Sequence, residues 1–164
     1  AIETENGYKV YGNQSYKPQH LNIEGDWSQA AFFLAAGALG GNVSIENLDT
    51  ASYQGDKAIY QLLRQFGADI TINGQVLSCK HNKLNGIEID AENIPDLVPI
   101  LAVVAALAEG TTTITGAARL RIKESDRLHA ITEGLNKLGA DITELPDGLR
   151  INGVKSLNGG DVQG

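Results

Sequence analysis

Gly67-Ala68-Asp69-Ile70-Thr71 returns unchanged as Gly139-Ala140-Asp141-Ile142-Thr143, and the elements around the two copies return with it. Ahead of the first copy, Gly55 to Ala68 carries Ile59, Leu62, Leu63 and Phe66 at the spacing of an amphipathic helix. Ahead of the second, Leu128, Ile131, Leu135 and Leu138 line one helix face. Gly67 closes the earlier helix, as glycine does past a C-terminus. Behind the first copy, Ile70-Thr71-Ile72, an Asn73-Gly74 turn and Val76 to Cys79 predict a hairpin. Pro146-Asp147-Gly148 turns the matching one, and Leu149 to Val154 returns. Further upstream each copy has a second kind of helix. Ala30 to Leu39 is interrupted only by Gly37, and Asp26-Trp27-Ser28 can cap it. Leu97 to Ala108 is apolar throughout, with Pro99 in the first turn, where no amide donor is needed. A helix that is apolar all round is expected to be buried. Short strands flank these helices: His20–Glu24 and Val43–Ile45, then Ile87–Ile89 and Thr111–Thr115.

The order strand, helix, strand, helix, hairpin therefore occurs twice. Ala1 to Thr4 shares the register of Ala68 and Ala140, so Ile2 to Tyr11, turning at Asn6-Gly7, reads as the tail hairpin of a preceding copy. Asn13 to Gln19 is polar, contains Pro18 and reads as a linker. The expected fold class is α/β (α+β), built from repeated βαβαββ units: two full units plus that tail hairpin. The apolar helices should lie on the sheets, with the amphipathic helices further out.

The copies differ in length at one place. Gly41 and Gly110 are 69 residues apart, whereas Ala68 and Ala140 are 72 apart, which puts three extra residues within Ala117 to Asp126. Repeats accept insertions where the chain is exposed, often on a binding face. This insertion contains Arg121-Ile122-Lys123-Glu124-Ser125-Asp126-Arg127-Leu128, with five charged residues in eight. Arg119, Arg121, Lys123 and Arg127 fall within nine residues and suggest a local positive site beside a helix N-terminus, suited to anions. The same residues equally suit a solvated helix start, whose ion pairs contribute about 0.3–0.5 kcal/mol. Ser125 and Asp126 are read as caps of the following helix.

Composition narrows the alternatives. With 42% hydrophobic and 20% charged residues in 164, the chain can bury a core. A net charge of -7 argues against a nucleic-acid partner. No apolar run reaches the ~20 residues of a membrane span, so no membrane partner is expected. The lone Cys79 fits a reducing, cytoplasmic setting. His20, His81, His129 and Cys79 lack metal-ligand spacing. The chain lacks Met even at position 1 and opens directly on a strand pattern, so a piece of a longer protein is expected.

Arg121–Leu128, preceded by Asn93-Ile94-Pro95-Asp96 and an apolar helix, resembles the EPSP synthase (3-phosphoshikimate 1-carboxyvinyltransferase) family. Glu24-Gly25-Asp26-Trp27-Ser28-Gln29-Ala30 resembles the start of that family's second globular domain. The resemblance implies the enolpyruvyl transferase fold: two globes of three βαβαββ units each, with the active site in the cleft between them. Residues 1–23 would then end one globe and cross over, and residues 24–164 would form two of the three units of the other. The implied reaction transfers the enolpyruvyl group of phosphoenolpyruvate to the 5-hydroxyl of shikimate 3-phosphate and releases phosphate, in the shikimate pathway to aromatic amino acids. No metal or organic cofactor is implied. The partners implied are the two small-molecule substrates and the remainder of the same polypeptide, which completes the site; the segment alone would be inactive. By the same resemblance Asp96 is the carboxylate at the sugar hydroxyl and Glu124 the acid/base facing phosphoenolpyruvate. Lys123 contacts the shikimate side and Arg127 the phosphoenolpyruvate side. Read from its position alone, Asp96 is a helix N-cap, and Trp27 is a packing residue. Arg119 stands where some members of the family carry an amide, and it receives no role. Two other readings remain open: the enolpyruvyl transferase acting on UDP-N-acetylglucosamine, and a non-catalytic βαβαββ module of the kind found in nucleic-acid-binding proteins.

Overall fold

The two apolar stretches become neighbouring helices at the centre of the molecule. In a computed structural model, which describes residues 1–162, the helices are α1 (Trp27–Leu39), α2 (Ala58–Phe66), α3 (Val98–Ala106) and α4 (Arg127–Lys137). α1 packs on α3 and on α2, and α3 also meets α4. The strands are β1 (Ile2–Thr4), β2 (Gly7–Lys9), β3 (Asn42–Glu46), β4 (Asp69–Asn73), β5 (Val76–Lys80), β6 (Glu88–Asp90), β7 (Thr111–Thr115), β8 (Asp141–Leu145) and β9 (Gly148–Asn152). They form a two-stranded ribbon β1-β2, a three-stranded sheet β3-β5-β4 and a four-stranded sheet β6-β7-β9-β8. β6 runs parallel to β7, and the other pairs are antiparallel. The duplicated pentapeptides start β4 and β8 in equivalent registers, with Asp69 opposite Lys80 and Asp141 opposite Asn152. Ile70 and Ile142 point inward in both. One continuous core runs through both units, from Leu34, Ile59, Leu63 and Phe66 to Leu101, Ile114, Leu128 and Leu149. Among the described residues, no helix is long and apolar enough to cross a membrane.

Gly37 has a packing reason for interrupting α1. A Cβ there would stand 2.7 Å from the Cys79 carbonyl oxygen, so glycine lets the helix lie directly on β5. The thiol of Cys79 is buried beneath it and pushed up to about 11, chiefly by burial and secondarily by Asp69.

Three expectations need correction. The second unit is complete, but the first lacks its opening strand: His20–Glu24 forms no ladder. Only the Gly25 amide reaches the end of β3, donating to the Asn47 carbonyl at 2.8 Å. Leu21 and Ile23 are exposed, so nothing buries a face of that segment, and a strand without a buried face is weakly held. Second, α1 is not buried on all sides. Phe32 and Phe33 are 60% and 62% exposed, and Phe32 borders an apolar groove with Ala36, Leu39, Pro99 and Val103. An all-apolar pattern shows that a face calls for cover; two units provide cover over only part of the circumference. Third, two hairpin loops are displaced by one residue. They are Glu5-Asn6 and Gly74-Gln75, since Thr4 pairs with Gly7 and Asn73 with Val76. Gly74 itself adopts the positive φ of 61° that the turn needs, which leaves Asn73 in the ladder. The last two residues of the expected second domain, 163 and 164, lie outside the described residues.

The insertion is where the spacing placed it. In the first unit, residues 47–54 lead from β3 into a 3-10 turn, Gly55–Lys57, that runs straight into α2. In the second, residues 116–126 separate β7 from α4, and they build their own 3-10 helix, Ala118–Ile122, followed by an extended Lys123.

Candidate active site

Asp96 lies in a 3-10 turn, Pro95–Leu97, at the start of α3. Ile94 and Leu97 on either side of it are buried, and this places the carboxylate between them on the outside, 52% exposed. Leu120 and Leu128 likewise bury the two ends of the inserted loop. The residues between them are left at the surface, with the Glu124 side chain 68% exposed. Two separate pairs of core anchors thus bring together charged groups far apart in sequence.

Arg127 joins them. Its Nη1 donates to Asp96 Oδ1 at 3.1 Å and its Nη2 to Glu124 Oε1 at 2.5 Å. Lys123 Nζ donates to the same Asp96 oxygen at 3.4 Å. Two carboxylates therefore face each other across one planar guanidinium, with an ammonium beside it. The hydrogen bond from Arg127 holds the Glu124 carboxyl below the usual carboxylate range, helped by the backbone amide of Glu124 itself. The same bond pushes Arg127 further up, so its charge is secure. In this arrangement Glu124 is ionised. While Arg127's fork holds it, Glu124 binds a proton less readily than an ordinary carboxylate.

All four residues that the resemblance marked, Asp96, Lys123, Glu124 and Arg127, are in this cluster. Asp96, however, does not cap. Neither the 3-10 turn nor α3 receives a side-chain cap, so its carboxylate is left for the two cations. The cap expected from Ser125 and Asp126 comes from Asp126, whose Oδ1 accepts from the His129 amide at 3.1 Å. The expected positive site is corrected too. Arg121 turns toward the β8–β9 hairpin, where it meets Glu144, and pairs with Asp126 at the start of α4, while Arg119 is exposed. What remains is two cations against two carboxylates, beside a helix N-terminus already occupied by Asp126. Net positive potential depends on which side chains share a face, and a count along the sequence does not show that.

The Gly25-Asp26-Trp27 segment is structural in this arrangement. Asp26 caps α1 by accepting from Ser28 and Gln29 amides at 2.8 and 3.3 Å. Trp27 is fully buried, donates to the Asp49 carbonyl at 3.1 Å and packs on Tyr60. Glu24 accepts from Ser52 and Gln54 at 2.7 and 3.0 Å. The first unit thus ties its corresponding connection to Glu24 with uncharged side chains, whereas the second presents an open cluster of charges. The sequence reading missed the structural work of Arg121, because its partners Glu144, Leu145 and Pro146 lie 23, 24 and 25 positions away along the chain.

Comparison with known proteins agrees with the motif reading. The family model for EPSP synthase (3-phosphoshikimate 1-carboxyvinyltransferase) matches residues 1–164. The chain is 55% identical over 156 residues to the 3-phosphoshikimate 1-carboxyvinyltransferase of Clostridium perfringens, covering 94% of this chain and 37% of that protein. It is 53% identical over 166 residues to the protein of the same name from Clostridium acetobutylicum, covering 99% of this chain and 38% of that protein. Among solved structures, the EPSP synthase of Acinetobacter baumannii superposes with a TM-score of 0.69 at 34% identity, over 82% of this chain and 33% of that one. The chain therefore spans less than two fifths of the length of these relatives.

Proposed function

The chain belongs to the EPSP synthase family, and from that premise we propose that it forms one wall of an active site that joins phosphoenolpyruvate to the 5-hydroxyl of shikimate 3-phosphate. The observation that carries the reading is the Asp96–Arg127–Glu124 bridge with Lys123 beside it. It assembles the two carboxylates and two cations that the reaction needs. Asp96 takes the hydroxyl proton as the oxygen bonds to the central carbon of phosphoenolpyruvate. Glu124 delivers a proton to the methylene carbon, which gives a tetrahedral intermediate. Elimination reverses the second transfer: a methyl proton returns to Glu124, the bond to the phosphate oxygen breaks, and phosphate leaves with the proton that Asp96 had taken. Lys123 holds the shikimate side, and Arg127 the phosphate or carboxylate of phosphoenolpyruvate.

The unliganded geometry adds a sequence of events. An incoming anion competes with Glu124 for Arg127's fork. Once Arg127 turns to the anion, Glu124 loses the hydrogen bond that lowers its pKa, and its proton affinity rises toward that of an ordinary carboxylate when substrate is in place. Asp96, uncommitted to any helix amide, stays available as the base. Both carboxylates are open to solvent, and the apolar groove beside Phe32 is uncovered. These features support the rest of the polypeptide as the partner that closes the cleft and covers α1. A cytoplasmic location is supported by the single cysteine, held buried as a protonated thiol.

The test is Glu124→Gln in the full-length protein, assayed for phosphate release from both substrates. Turnover should fall by about 10²-fold or more, with shikimate 3-phosphate binding unchanged. Retention of more than about a tenth of turnover removes Glu124 from the chemistry.

A further inference from the structure

The basic residue of the insertion that turns away from the cluster has its own set of partners. The guanidinium of Arg121 donates through Nε to the Pro146 carbonyl at 2.8 Å and through Nη2 to the Leu145 carbonyl at 2.6 Å. Its Nη1 donates to Glu144 Oε1 at 2.6 Å and to Asp126 Oδ2 at 2.9 Å. Three of these acceptors are the consecutive residues Glu144, Leu145 and Pro146, at the turn between β8 and β9. The fourth is the cap of α4, whose other oxygen holds the His129 amide. One planar group therefore clamps the hairpin tip to the residue immediately before Arg127.

Between Arg121 and Asp126 lie Ile122, Lys123, Glu124 and Ser125, all exposed; Ile122 is 86% exposed and gives the loop no hydrophobic anchor. The side-chain bonds of Lys123 and Glu124 go to Asp96 and Arg127, the groups a substrate would engage. Those bonds cannot hold the loop while substrate is bound. Arg121's partners are none of these groups and are free of that conflict. A lysine could not replace it, because a single ammonium cannot span two backbone carbonyls and two carboxylates as the rigid fork does.

We propose that Arg121 is a positioning residue: its clamp on the β8–β9 turn and on Asp126 sets where Lys123, Glu124 and Arg127 present their charged ends. Its consequence for turnover rests on the function proposed above; the clamp itself does not. The experiment makes Arg121→Lys in the full-length protein and reads kcat, KM and amide hydrogen exchange. A misplacement near 1 Å costs up to about 10²-fold in rate, so kcat should fall by about tenfold or more. KM should change less, and faster exchange should be confined to residues 122–126. A kcat within about threefold of the unsubstituted protein overturns the proposal, being far below the cost of such a misplacement. So does a loss of turnover in which exchange rises evenly over α4, β8 and β9, the mark of a merely structural role. If the unsubstituted protein does not turn over these substrates, the function reading fails on its own; exchange at residues 122–126 then decides the clamp, and no change there overturns it. If Arg121→Lys yields no soluble protein, Glu144→Gln is read by the same measurements. It should shift both in the same direction by less, and no shift in either overturns the proposal.

Discussion

Asp96→Asn separates the chemical role of this carboxylate from a structural one, and the contacts set the size of each effect. A carboxylate at a helix start ordinarily caps, and losing a cap costs about 0.5–2 kcal/mol. Asp96 accepts no helix amide, so that cost does not apply. The substitution removes only exposed ion pairs at 3.1 and 3.4 Å. Pairs of this kind contribute about 0–1 kcal/mol. For a chain of this size, 1 kcal/mol corresponds to about 2–4 °C in Tm, so a loss in the middle of that range, about 0.5 kcal/mol, should leave Asp96→Asn melting within about 2 °C of the parent. Asp26→Ala is the internal comparison. Asp26 accepts two α1 amides, so its loss should cost about 1 kcal/mol, or about 2–4 °C. Turnover of the full-length protein should behave in the opposite order. Asp96→Asn should lose about 10²–10⁴-fold if it removes a general base, while Asp26→Ala should retain activity near that of the parent. Calorimetry on the chain and a phosphate-release assay on the full-length protein supply both numbers. An Asp96→Asn protein that melts earlier than Asp26→Ala yet still turns over would refute the reasoning, since it would make Asp96 a cap that the geometry does not show.

Arg127→Ala should raise the Glu124 carboxyl pKa toward the ordinary range by removing the hydrogen bond that lowers it; a carbon-detected carboxyl titration that shows no upward movement would count against the release of Glu124 by substrate. Cys79 should resist alkylation at pH 8 in the folded chain and react once denaturant is added. Its folded pKa of about 11 lies above the 9.0 of an unperturbed thiol, so the stabilisation it contributes is complete below pH 9 and lost as pH rises toward 11. Urea midpoints measured across that window should fall, and a flat profile would show the thiol to be less buried than described. Replacing Phe32 and Phe33 together with Ser should reduce concentration-dependent association of the 164-residue chain without lowering its Tm, because both side chains are mainly exposed; unchanged light scattering would show that this face does not drive association.

The duplicated pentapeptide, the helix stripes and the apolar runs determined the order of elements by themselves. Their information is local: periodicity reports which side of an element must leave water. The three-residue difference between the copies located the inserted loop for the same reason, as a count along the chain. The motif around Glu124 was also readable as residues in a row, and the family resemblance it carries added Asp96; the structure brings Asp96, Lys123, Glu124 and Arg127 into contact. The strand at His20–Glu24 failed because an alternating pattern becomes a strand only when a partner edge and a buried face receive it. The apolar run of α1 could not tell which of its faces would be covered, and Phe32 and Phe33 are left exposed. Within Arg119–Arg127 the sequence shows four cations and no directions. Tertiary structure sends Arg121 to the carbonyls of Leu145 and Pro146 and Arg127 to Asp96, residues 24, 25 and 31 positions away along the chain. Those choices depend on how the β8–β9 hairpin and the start of α3 are docked around the loop, and docking is decided by the shared core beneath them, through Leu97, Leu120 and Leu128.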